Sequence, residues 1–266
     1  MRFILIRSIF FKTIKKGMFL MKSIVWQLNK LKPKEKYVLE YLLTNSHTNP
    51  IGYYYLPEEY MTSDLNLART NVEEAINGLV EKGFIVYDYS ASTVAIANYK
   101  NYFGFDMNSM SLDIFDTMPI SGAFRKCFRW LSDCISGEKA IQIVHHEKVR
   151  ESLMMEIDST DSDEIYYTGF DMFWAVYPRK TGRDKALENY MELVKINGVE
   201  QEDLVKAAVN YNFDYKDFIA SRVLFLECAD QFLDPERRLY SKYIDEIETR
   251  VCSREELDGV MDDCPF

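Results

Sequence analysis

Histidine is scarce in this chain, and the residues that usually build catalytic or metal centres lack the spacing such centres need. There are three histidines and five cysteines in 266 residues. No two cysteines lie two to four residues apart, and the run His145-His146-Glu147 lacks the second histidine of a zincin helix. Gly78 and Gly83 have the spacing of a phosphate-binding loop, but Phe84 occupies the position of its lysine. We therefore expect no enzymatic activity, no metal and no cofactor.

The chain also lacks an uncharged apolar run long enough to cross a bilayer. Near its start, residues 3–6 and 9–11 are apolar, but Arg7 separates them and three lysines follow. Residues 1–22 form a basic extension, for which three interpretations stay open: a poorly ordered stretch upstream of a true start at Met18 or Met21, a flexible arm that faces DNA, or an amphipathic helix on a membrane surface. We expect a cytoplasmic protein without a membrane partner.

Charge is distributed unevenly along the sequence. The formal net charge is −10, which by itself argues against a nucleic-acid partner. However, residues 1–36 contain ten Lys or Arg and one acid, whereas residues 37–266 contain 22 Lys or Arg and 41 Asp or Glu. A basic arm thus precedes an acidic body, and nucleic-acid binding is not excluded.

Residues 33–99 carry the clearest structural pattern. A helical run from Pro33 is followed by an extended segment at 52–56, two more helical runs, and strand-like runs at 84–89 and 93–99. This order is typical of a winged helix-turn-helix, which usually lays its third helix in a DNA groove. The predicted fold class is mainly α (α+β): a winged helix-turn-helix with a small β-wing at residues 23–104, and a second, all-helical domain.

The third helix, predicted at residues 68–82, supplies most of the candidate DNA contacts. Val72, Ala75, Ile76, Leu79 and Val80 share one apolar stripe, which leaves the opposite face for a ligand. Arginine pairs with guanine and asparagine with adenine in the major groove. Glu73, Glu74 and Glu81 on the outer side would repel phosphate unless one accepts from a cytosine amino group. The candidate residues in this domain, including those of the wing tip, are Arg69, Thr70, Asn71, Asn77, Ser90 and Ser92.

The rest of the chain divides into three parts. Residues 105–168 are predicted to be a spacer with a short helix and an acidic linker, residues 169–250 a helical domain, and residues 251–266 an acidic tail. Four cations at the entry to the second helix of the helical domain either bind phosphates or belong to a solvated turn. They are Arg179, Lys180, Arg183 and Lys185.

Two stretches resemble a known family. Residues 41–52 (YLLTNSHTNPIG), with 55–57 and 86–88, resemble the N-terminal winged helix of phage replication initiators, or replisome organisers, which share their layout with DnaD-type primosomal proteins. Residues 173–183 (FWAVYPRKTGR), with Ala186, resemble a helix entry in the same proteins. The resemblance implies a non-enzymatic protein that binds double-stranded origin DNA and brings in the replicative helicase of the bacterial host or its loader.

Two other functions stay open at this point: a winged-helix transcription regulator and an acidic adaptor that contacts only protein. For the initiator, we expect Arg69→Ala and Asn71→Ala each to weaken specific DNA binding by about 1–3 kcal/mol. The oligomeric state is open, and a homo-oligomer is compatible with every one of these functions.

Overall fold

A computed structural model describes Val25 and residues 28–155, 163–214 and 226–244. In these ranges the chain forms two compact units. The first unit comprises the described residues up to Cys134 together with residues 145–155, and the second comprises residues 135–144 and those from 163 onward. The chain is mainly helical, with one small antiparallel sheet. No helix in the described ranges combines the length and the hydrophobicity that a membrane span requires.

The first unit begins with the helices and strands that the sequence predicts, in the predicted order. The elements are α1 (Pro33–Thr44), β1 (Tyr53–Tyr55), α2 (Glu58–Leu65), α3 (Arg69–Glu81), β2 (Ile85–Asp88) and β3 (Thr93–Ile96). Proline suits the first position of α1, where its missing N–H is not needed. Helix α3 buries Val72, Ala75, Ile76 and Leu79 as expected, but Val80 is 40% exposed and lies outside the buried stripe.

The three strands pair in the order β1-β3-β2. Ala95 at the centre of β3 lies opposite Tyr53 of β1 and Val86 of β2. All four residues of β3 are buried, because both faces of the sheet are covered. Helix α3 packs near β2, and the helix at residues 123–132 packs against β3 and β2.

The part of the chain from residue 100 to residue 155, which includes most of the predicted spacer at 105–168, is largely helical. Helix α4 (Lys100–Phe103) precedes the spacer; within it follow a 3₁₀ turn (Met107–Ser109), α5 (Asp113–Asp116), α6 (Ala123–Ser132), α7 (Gly137–Val144) and α8 (Glu147–Met154). Helix α6 buries Phe124 and Phe128, and the Phe124 ring lies 5.1 Å from that of Tyr53 in β1. Burial of this apolar face joins α6 and α8 to the first unit, whereas α7 belongs to the second.

The second unit contains α7, α9 (Glu164–Val176), α10 (Arg183–Lys195), α11 (Gln201–Asp214), α12 (Ala229–Phe232) and a 3₁₀ helix (Leu239–Tyr243). The described residues of the range predicted as a helical domain, 169–214 and 226–244, are mainly helical, and α9 starts before that range, at Glu164. The core of the second unit is aromatic: rings at centroid distances of 5–6.2 Å connect α9 with α10, α11 and α12. Residues 1–22, residues 156–162 of the acidic linker predicted at 156–164, and the tail at 251–266 lie outside the described residues.

A buried carboxylate joins α1 to the end of α3. Glu35 is 2% exposed, and it accepts from the Lys32 backbone N–H at 2.7 Å and from Lys82 Nζ at 2.6 Å. Burial alone would raise the pKa of Glu35, but these bonds and the nearby cations outweigh it and lower the pKa. Because the folded-state pKa is lowered, the carboxylate stabilises the fold at neutral pH and loses this effect as the pH falls through that pKa.

Gly78 of α3 lies directly against this carboxylate. A Cβ atom at position 78 would lie 2.3 Å from Glu35 Oε1, closer than van der Waals contact permits. Helix propensity alone favours alanine over glycine by about 1 kcal/mol. The close approach of α1 and α3 therefore explains why a glycine stands inside this helix.

We expect Gly78→Ala to lower the free energy of unfolding by about 1–3 kcal/mol, because the added methyl displaces Glu35. Urea unfolding of the full chain measures the change. In a Glu35→Ala background, the same substitution should be neutral or stabilising, since the obstructing carboxylate is gone. A more stable Gly78→Ala single variant would contradict this packing.

Candidate nucleic-acid interface

The amino-terminal end of α3 faces solvent. Arg69, Thr70 and Asn77 are exposed and Asn71 is half-buried, whereas the opposite face of the helix is in the core. The structure thus places the four helix residues selected from the sequence on one accessible surface. We refer to this surface, from Arg69 to Asn77, as the α3 face.

Arg69 is held by carboxylates. Its Nε lies 2.8 Å from Glu73 Oε1 and its Nη2 lies 2.8 Å from Glu58 Oε2, while Nη1 is 3.9 Å from Glu59 Oε1. The hydrogen bond with Glu73 and the charge of Glu58 raise the pKa of Arg69 above its ordinary value, so the guanidinium stays protonated. The side chain is nevertheless 63% exposed.

Glu58 is the buried member of this cluster. It is 6% exposed, and within the described part of the chain its Oε1 has no hydrogen-bond partner. A buried carboxylate is costly unless it is paired, so the Arg69 guanidinium offsets much of that cost. Arg69 therefore has a structural role in addition to any role in binding.

A lysine of α1, Lys34, lies beside the α3 face and is hydrogen-bonded to Asn71. Lys34 Nζ donates to Asn71 Oδ1 at 2.6 Å and lies 3.8 Å from Glu74 Oε2. The sequence indicates a basic arm but gives no sign that one of its lysines lies beside α3. Lys34 is 53% exposed and adds a second cation to this surface.

The turn between β2 and β3 lies beside the same helix, since Tyr89 OH donates to Asn77 Oδ1 at 3.1 Å. Asp88 shapes this turn by accepting from Ser90 N at 2.9 Å, Ser90 Oγ at 2.6 Å and Ala91 N at 3.1 Å. Burial would raise the pKa of Asp88, but hydrogen bonds from Ser121, Ser90 and the two backbone N–H groups lower it.

The two wing-tip serines selected from the sequence thus serve the turn itself. The Ser90 hydroxyl is hydrogen-bonded to Asp88, and Ser92 is a half-buried residue with φ of +50° whose carbonyl accepts from Leu56 N at 2.7 Å. No Lys or Arg occurs between residues 83 and 99, so the turn brings no cation to the surface.

Acids outnumber cations around the α3 face. Glu59 and Glu74 have side chains 72% exposed, Glu73 is 39% exposed, and Glu81 is exposed at the far end of the helix. Among the described residues, Arg69 and Lys34 lie beside this face, Lys32 lines the adjoining depression, and Lys82 is paired with buried Glu35. This balance disfavours tight, sequence-independent attraction to phosphate.

Three of the second group of candidate cations make contacts inside the second unit. Arg179 donates to the Leu226 carbonyl and Lys180 to the Ile135 carbonyl, and both side chains are half-buried. Arg183 pairs with Asp171, which is 2% exposed, and its guanidinium lies 5.2 Å from the centroid of the Trp174 ring. These three cations hold α9 and its neighbours together, because buried carbonyls and carboxylates need donors. Lys185 is exposed and pairs only with Glu188 among the contacts described.

The described residues contain no group of three or more His, Cys, Asp or Glu that could hold a metal ion. One depression, beside α1, is lined by Lys32, Lys34, Glu35 and Glu74 and adjoins the α3 face.

We expect Arg183→Ala to lower the free energy of unfolding by about 3 kcal/mol, because it removes the guanidinium that offsets buried Asp171. Lys185→Ala is the matched control: it removes one exposed cation from the same segment and should cost less than about 1 kcal/mol. Thermal unfolding of both variants makes the comparison. Equal effects would show that Arg183 is a surface residue, in conflict with its burial.

Comparisons with known proteins give no further assignment: no protein-family model, curated protein or solved structure matches this chain.

Proposed function

We propose that this protein is a phage-type replication initiator, cytoplasmic in a bacterial host, whose first unit is a winged helix-turn-helix that binds double-stranded origin DNA. One observation carries the proposal: α3 follows α2 across a short turn, and its exposed face lies beside the β2–β3 turn, to which Tyr89 and Asn77 join it. In winged-helix proteins these two elements contact DNA together. The resemblance of residues 41–52 and 173–183 to replisome organisers supports the choice among winged-helix functions.

Binding through the α3 face would depend on few charges. Arg69 and Lys34 are the cations beside it, and Asn71 and Asn77 offer amide groups for base edges. Each phosphate contact adds roughly 0.9 to the slope of log affinity against log salt. Any further cations of the basic arm at residues 1–36 would add to that slope.

The experiment is a gel-shift titration of the full chain on origin-like duplex at about 50 and 200 mM salt. We expect Lys34→Ala to weaken binding to all duplexes alike and to reduce the salt slope by about one unit. We expect Asn71→Ala to cost about 1–3 kcal/mol on the preferred sequence only, because it removes a base contact. Asn197→Ala, which removes an exposed asparagine from the second unit, is the control.

Arg69→Ala is a poor single test, because it also leaves buried Glu58 without its guanidinium. It is informative only beside Glu58→Gln/Arg69→Ala, in which the buried group is neutral and a loss of binding reports on the DNA contact. Absence of duplex binding by the wild-type chain at about 50 mM salt would remove the DNA proposals altogether.

An acidic protein adaptor is the second candidate, favoured by a specific observation. Tyr55 and Tyr89 are each 50% exposed, and the first unit also exposes the carboxylates of Glu59 and Glu74, a mixture that suits a basic protein surface. This adaptor would bind no duplex at any salt concentration.

A pull-down with the purified replicative helicase and its loader tests the recruiting half of the proposal. We expect the full chain to retain one of them, with the origin duplex present or absent. A transcription regulator would bind duplex and retain neither protein, so this result would favour the regulator over the initiator.

A further inference from the structure

We propose that Arg69 and Glu73 form one base-reading unit that recognises a guanine beside a cytosine in the major groove. This inference rests on the proposed DNA-binding function, and it names the base pairs that the α3 face reads. It also explains why an acidic residue, Glu73, lies on a surface that is proposed to approach the phosphates of DNA.

The unused edge of the Arg69 guanidinium suits guanine. Nε is hydrogen-bonded to Glu73 and Nη2 to Glu58, but among the described residues Nη1 makes no hydrogen bond. Its nearest carboxylate oxygen belongs to Glu59, at 3.9 Å. The N–H groups along the Nη1 and Nη2 edge thus remain available for guanine O6 and N7, the usual arginine contact in the major groove.

The two carboxylates also fix the direction of that edge. Glu58 is buried in the first unit, and Glu73 follows Arg69 by one helical turn, so the guanidinium is held from two sides before any ligand arrives. A long side chain that is already ordered loses less conformational entropy on binding.

Glu73 has a second oxygen for the neighbouring base. Its Oε1 accepts from Arg69, while in the described residues Oε2 has no hydrogen-bond partner, and the side chain is 39% exposed. A carboxylate in the major groove is favourable where it accepts from the N4 amino group of cytosine. Residues 69 and 73 differ by about 6 Å in helical rise, but Glu73 Oε1 lies 2.8 Å from Arg69 Nε, so the two side-chain ends are close enough to contact neighbouring base pairs, which are about 3.4 Å apart.

Glu74 provides a matched control on the same helix. It carries the same charge, is 72% exposed, and lies near Lys34 at 3.8 Å rather than at Arg69. Glu74→Gln therefore removes one acid from the surface without touching the Arg69 cluster, which separates base reading from a general change in charge.

The test is selection of bound sequences from a randomised duplex pool by the full chain, Glu73→Gln and Glu74→Gln, each first checked for native melting. We expect the wild type to enrich guanine next to cytosine. We expect Glu73→Gln to keep the guanine and replace the cytosine by adenine, with the cytosine-over-adenine affinity ratio falling by about 5- to 150-fold, because a glutamine amide pairs with adenine. Glu74→Gln should bind all duplexes more tightly and keep the wild-type preference.

Each other outcome counts against a stated claim. If Glu73→Gln keeps the cytosine preference, or if the wild type binds duplex without base preference, the base-reading unit is refuted while DNA binding stands. If both glutamine variants change preference alike, the effect is one of charge, and the unit is again refuted. If no duplex is retained by the wild type, the proposed function itself is overturned and the inference falls with it.

Discussion

Helix α3 is fixed at both ends by buried carboxylates that come from two different helices. At its start, Arg69 pairs with Glu58 of α2; just beyond its end, Lys82 pairs with Glu35 of α1. Between these points the apolar stripe of α3 packs in the core, and Gly78 lets α1 approach. Since each carboxylate is costly to bury alone, the two pairs allow little change in the rotation or register of α3. Whatever the α3 face binds, it meets a surface whose orientation is set in advance.

The sequence predicts local structure here better than it predicts the roles of charged residues. Apolar periodicity places α1, α2 and α3 within a few residues, because one side of each helix must be buried. Apolar periodicity does not reveal that Glu35 and Glu58 are buried, because a glutamate in a helix is normally expected to face solvent. The sequence also does not predict that Lys34 contacts Asn71 of α3, because these two residues are 37 positions apart.

The cations at 179–185 are a second case in which the sequence does not reveal the contacts of charged residues. Four basic residues within seven positions resemble a phosphate site, yet three of them donate to groups within the second unit: carbonyls at residues 135 and 226 and the carboxylate of Asp171. These partners are distant in sequence or hidden by folding, so spacing alone cannot distinguish a binding cluster from a structural one. Sequence spacing likewise does not show that the apolar face of α6 packs against β3, which precedes it by about thirty residues.

Helix α7 has a further consequence for how this chain can be divided. Its flanking helices, α6 and α8, belong to the first unit, while α7 packs on α9 in the second, and Lys180 donates to the carbonyl of Ile135 just before it. Each unit is built from two separate segments of the chain, so cleavage at one backbone position cannot produce two fragments that each contain a complete unit. A fragment that starts at residue 163 would leave the α7-facing side of α9 uncovered. Evolutionary exchange of the two units as separate modules would need three crossover points rather than one, because the chain passes between the units three times.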